Sequence, residues 1–117
     1  MTHGEKKIAK IIEELTMYFF TMGSDRICSG IERDGNSVKI TFSSNYDTIN
    51  QDRIHNLEKY LNEPKNEGME DFYWELAGSG DPGESSQLLL VGMMIDQAEI
   101  TIGESEVSLV LYKELDS

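Results

Sequence analysis

The chain has 117 residues, one cysteine and a formal charge of −12, with 38% hydrophobic residues. That length suits one compact domain, read here as residues 1–117, and the apolar content with clear periodicity argues against disorder despite the charge. No apolar run approaches the roughly 18 residues that span a bilayer, and Met1 to Lys10 lacks a signal-peptide layout, so a cytoplasmic location and no membrane partner are expected.

The first segment, about Gly4 to Met22, places Ile8, Ile11, Ile12, Leu15, Tyr18, Phe19 and Met22 at three- and four-residue spacings. This is the pattern of an amphipathic helix whose wide apolar stripe lies against a sheet. Thr2 with Glu5 offers a capping box, and Gly23 a stop. Arg26 to Glu32 and Val38 to Ser43 read as two strands around Asp34-Gly35, a pair that favours a tight hairpin. Val38, Ile40 and Phe42 alternate with polar residues, giving one buried face. Cys28, within the first strand, is expected to serve as a small buried apolar residue.

Thr48 to Gln51 repeats the capping-box pattern, and Ile54, Leu57 and Leu61 then share a helix face that Pro64 brings to an end. Met69, Phe72, Tyr73 and Leu76 have the spacing of a second, shorter helix. A loop from Gly78 to Ser85 precedes Gln87 to Asp96, which is apolar enough for a nearly buried helix. Ala98, Ile100 and Ile102, then Val107, Leu109 and Leu111, alternate in a closing hairpin. The expected fold is therefore α/β, a two-layer sandwich in the order αββαααββ: an antiparallel or mixed sheet of about four strands with helices on one face.

Charge is unevenly spread. Residues 66–117 hold Lys113 as their one basic residue against 12 acids, whereas residues 1–65 hold 9 basic and 10 acidic residues. The acidic half should repel nucleic acid and anionic lipid and suits a protein partner with a basic surface. Asp71, Tyr73, Asp81 and Glu84 are the candidate partner-binding residues, because aromatic side chains beside acids can anchor an interface. The alternative is a solvated acidic surface with Phe72 and Trp74 covering core.

No complete catalytic set is visible. His3 and His55 stand apart with no ligand spacing, which argues against a transition-metal site. The clusters Glu67, Glu70, Asp71 and Asp81, Glu84 lack the spacing of a calcium loop. Serines occur without a Gly-x-Ser-x-Gly elbow. The glycine-rich run Gly78, Gly80 and Gly83 could suggest a phosphate loop, since backbone N–H groups and a helix N-terminus attract anions. However, Asp81 and Glu84 add negative charge, Pro82 removes a donor, and no Lys or Arg is near. No cofactor is expected.

The order of elements and three local patterns resemble the ATP-binding domain of the histidine-kinase-like (GHKL) superfamily, in particular the small anti-sigma-factor kinases. Glu14-Leu15-Thr16-Met17-Tyr18 is similar to that family's Glu-Leu-x-x-Asn helix motif. Ile40 to Tyr46 looks like the strand that ends in its Asp-x-Gly motif, and Gly78 to Ile95 like its glycine loop and following helix. The likeness implies a former nucleotide site at Glu14, Tyr18, Ser44, Gly78, Gly80 and Gly83. Tyr18 replaces the family's magnesium-binding Asn, Ser44 its adenine-reading Asp, and the loop is acidic, so the resemblance implies a scaffold that has lost nucleotide. The expected function is a non-catalytic regulatory or protein-binding domain. The alternatives are an active ATP-binding serine kinase of the anti-sigma type and a small structural or dimerisation subunit, a homodimer held through an exposed strand edge.

Overall fold

In the computed structural model, residues 1–62 and 83–115 are described, and they form a two-layer α/β unit of the expected class. Helix α1 spans His3–Thr21, strand β1 Ile27–Asp34 and strand β2 Ser37–Asn45. A short 3-10 turn, Thr48–Asn50, leads into α2 (Gln51–Ile54) and α3 (Asn56–Leu61). Helix α4 runs over Gly83–Met94, and β3 (Gln97–Ile102) and β4 (Glu106–Glu114) close the chain. The short helix expected around Met69 to Leu76 lies outside the described residues.

Both ends of α1 follow from local chemistry. Thr2 Oγ1 accepts from Glu5 N–H at 3.1 Å while Thr2 N–H donates to the Glu5 carboxylate at 2.9 Å, so the capping box forms in full. The Thr2 backbone N–H holds the Glu5 carboxyl below its ordinary value, with smaller help from the Thr2 hydroxyl and Arg33. At the other end the chain turns at Gly23, whose φ of 85° lies in the region open to glycine. The expected stripe is the buried one: Ile8, Ile11, Leu15, Tyr18, Phe19 and Met22 lie in the core, with Ile12 packed at its margin.

The four strands form one antiparallel sheet in the order β1-β2-β4-β3. Its register brings Val38, Ile40 and Phe42 of β2 onto the same face as Leu111, Leu109 and Val107 of β4, and all six are buried. Helices α1 and α4 pack together over this face, with α3 against α4. The other face carries polar and small residues such as Lys39, Thr41, Ser43, Ser108 and Thr101, all of them exposed.

Four sequence expectations need correction. Cys28 is exposed, because the alternation of β1 puts it opposite Ser43 on the face that no helix covers. Thr48 is not the cap of the next helical segment: Asp47 accepts from Ile49 N–H at 3.1 Å one residue earlier. Two hydrogen bonds to Met22 O fix that position, from Asp47 N–H at 3.0 Å and Asn50 Nδ2 at 2.9 Å. The expected helix is also divided at His55, yet Ile54, Leu57 and Leu61 all reach the core. Finally, Gly83 and Glu84 open helix α4 and are not part of a loop.

Candidate functional site

Helix α1 carries two of the residues singled out, four apart on its buried side. Glu14 is 3% exposed, and its Oε1 lies 2.8 Å from Lys10 Nζ, one helical turn earlier. Lys10 also meets Glu13 at 3.3 Å. The Glu14 bond is the main reason that the Lys10 ammonium titrates above its ordinary 10.5, against the opposing effect of burial. The second Glu14 oxygen is buried without a hydrogen-bond partner, a costly arrangement for a carboxylate.

Tyr18 is fully buried, and its hydroxyl donates to Arg53 O at 3.0 Å. The ring packs edge-on against Phe19 with centroids 5.3 Å apart, and Phe19 in turn stacks on Phe42 of β2 at 5.2 Å. This aromatic chain links α1 to the centre of the sheet. A phenol so placed is part of the core, filling volume that a shorter Asn would leave open.

Ser44 lies at the helix-facing end of β2 and is also buried, at 5% exposure. Its hydroxyl donates to Asn45 O at 2.7 Å, and the Ser24 hydroxyl donates to the same carbonyl. Sequence reading passed over Asn45, whose side chain organises this corner. Asn45 Oδ1 accepts from the Asp25 and Arg26 N–H groups, each at 3.0 Å, and Nδ2 donates to Asp25 Oδ1. Tyr46 is buried beside it, and its hydroxyl is shared between Gly103 O at 2.7 Å and Glu104 O at 2.9 Å. The only sequence signal for this corner was the polar run Ser43-Ser44-Asn45 at a strand end, which could equally have been turn chemistry.

Glu14, Tyr18 and Ser44 are thus all buried on the helical side of the sheet; the Tyr18 and Ser44 hydroxyls are bonded to main-chain carbonyls, while Glu14 keeps one oxygen without a partner. A depression of about 440 Å³ at the β1–β2–β4 end is lined by Asp25, Arg26, Ser44, Asn45, Glu106 and Ser108 among others; it includes Ser44 but neither Glu14 nor Tyr18. Gly78, Gly80, Asp71, Tyr73 and Asp81 lie outside the described residues. Gly83 and Glu84 form the first turn of α4. Among the described residues, no group of three His, Cys, Asp or Glu side chains is gathered as metal ligands, and no helix is long and apolar enough to cross a membrane. Compared with models of protein families, with curated proteins and with solved structures, the chain matches none.

Proposed function

We propose that this chain is a non-catalytic regulatory domain that binds another protein, built on a histidine-kinase-like scaffold whose nucleotide site has been lost. The observation that carries this reading is Tyr18. Where the resemblance puts a magnesium-binding Asn, a fully buried phenol donates its hydroxyl to Arg53 O, so the amide carbonyl that would ligate magnesium is absent. Ser44 supports it in the same way. The charged acceptor that would read an adenine amine is replaced by a hydroxyl already bonded to Asn45 O.

The charge distribution supports a basic protein partner. Lys113 is the one basic residue after position 65, so an approaching basic surface meets little repulsion there. A cytoplasmic setting belongs to the same proposal, and the exposed free thiol of Cys28 suits a reducing compartment.

The deciding experiment is a titration with ATP and ADP, with and without magnesium, followed by calorimetry and thermal shift. The expected outcome is no heat and no change in melting temperature up to millimolar nucleotide. Magnesium-dependent binding at micromolar strength would overturn the reading in favour of an active serine kinase of the anti-sigma type.

A further inference from the structure

Among the described residues, strand β1 forms one edge of the sheet, with β2 as its one strand neighbour. Asn45 N–H donates to Arg26 O at 3.2 Å, which sets the alternation: even-numbered β1 residues bond to β2, and the main-chain groups of Ile27, Ser29 and Ile31 point outward. Among the described residues nothing meets those groups. On the helix-facing side, where alternation would place core residues, Ile31 is 55% exposed and Ile27 only partly buried. An edge of this kind is a template for another strand.

The sequence from Asp25 to Arg33 is complementary to itself when reversed about Ser29. Asp25 then opposes Arg33, Arg26 opposes Glu32, Ile27 opposes Ile31, and Cys28 opposes Gly30. This register also matches the backbone, because every residue pair that would exchange hydrogen bonds (Ser29 with Ser29, Ile27 with Ile31) has its N–H and C=O directed outward. Centring instead on Gly30 sets Ile27 against Arg33 and Cys28 against Glu32. Centring on Ile31 sets Gly30 against Glu32 and Cys28 against Asp34. Centring on Ile31 leaves no opposite-charge pair, and centring on Gly30 keeps only Arg26 against Asp34. Within one chain Asp25 and Arg33 already have partners in Asn45 and Glu5. Glu32 has none among the described residues, and Arg26 reaches only Glu106, at 3.5 Å with both side chains more than 70% exposed. The β3 edge, where Glu99 is the one charged strand residue, offers no such match.

We propose that β1 pairs antiparallel with β1 of a second copy about Ser29, joining the two sheets into one. The paired isoleucines cover each other on the helix-facing side, and the Arg26–Glu32 pairs, formed twice by symmetry, fix the register. This inference is independent of the nucleotide question and is read out by mass alone.

The test is sedimentation velocity with light scattering from low to high micromolar protein, on the wild type and three variants. The wild type should show a concentration-dependent dimer. Ser29→Pro removes an N–H that no described residue of the single chain accepts, so the fold should persist, as checked by circular dichroism, while dimer affinity falls at least ~10-fold. Arg26→Glu brings like charges together twice and should weaken the dimer about tenfold, with Arg26→Glu/Glu32→Arg restoring it. If Ser29→Pro unfolds the chain, the charge-swap pair decides. A wild type that is monomeric throughout would overturn the proposal and leave the edge to a strand of another protein. A dimer that ignores Ser29→Pro, or a charge swap that restores nothing, would overturn it equally.

Discussion

Glu14 is the least comfortable side chain in the described structure: one oxygen is paired with Lys10 at 2.8 Å, and the other is buried and unbonded. Its charge is tolerable because an ammonium sits one turn away on the same helix, at the four-residue spacing that lets the two side chains meet. Lys10→Met would keep the aliphatic stem but leave the carboxylate uncompensated, lowering stability by about 1–3 kcal/mol. The lower part of that range is expected because Lys10 is 25% exposed and water shares in the screening. Lys10→Met/Glu14→Leu should recover most of the loss, as an apolar pair of similar size needs no partner. Chemical denaturation checks both. The pH dependence follows from the raised Lys10 value: the stabilisation is fully present below the ordinary 10.5 and disappears as pH rises through the higher folded value. The difference between wild type and Lys10→Met should therefore be steady at neutral and mildly basic pH and close only above that point. Tyr18 teaches a different lesson at this scale. Its position in a helix motif was plain from the sequence, but whether its hydroxyl faced a pocket or the core depended on Arg53, 35 residues away.

Among the elements, α4 shows how a helix face is decided by its neighbour. Gly92 lies mid-helix, where Ala would ordinarily be favoured by about 1 kcal/mol. Here a Cβ on Gly92 would come within 2.6 Å of Tyr60 O and 3.4 Å of Leu61 Cα, both backbone atoms of α3. The missing side chain lets the two helices approach. Gly92→Ala is accordingly expected to lower the melting temperature, with a net loss of about 1–3 kcal/mol as α3 is pushed aside; a rise would mean that α3 can shift freely. The first hairpin was more legible. Asp34-Gly35 announced a tight turn, and β1 and β2 are indeed joined through Gly35 and Asn36 alone. Only Gly35 takes positive φ, at 62°, while Asn36 does not. That is the sign pattern of a turn needing glycine at its first central position.

For the molecule as a whole, a formal charge of −12 on 117 residues must act against the compact state. Exposed ion pairs such as Arg26–Glu106, at 3.5 Å, offset little of it. Raising NaCl at neutral pH should screen this repulsion and increase the melting temperature by a few degrees. A decrease would mean that favourable ion pairs outweigh the net charge. Binding to a basic partner should show the opposite dependence and weaken with salt, so the two effects separate by sign in the same titration series.

Among the described residues, periodicity alone determined the element types, the buried stripe of α1 and the inward faces of β2, β3 and β4, because alternation and helical spacing are local properties that burial must respect. The capping box of Thr2 and Glu5 was equally local, closed within one turn. Strand order was not local. Nothing within β1 or β4 states that β4 lies between β2 and β3, since pairing joins residues as far apart as Ser37 and Glu114. That order leaves β1 at an edge with Ile31 exposed on the helix-facing side, whereas Cys28, expected in the core, is exposed because alternation puts it on the face that no helix covers. The candidate site divides in the same way: the residue types at Glu14, Tyr18 and Ser44 were readable, but their burial was set by groups distant in sequence that only the folded chain brings alongside.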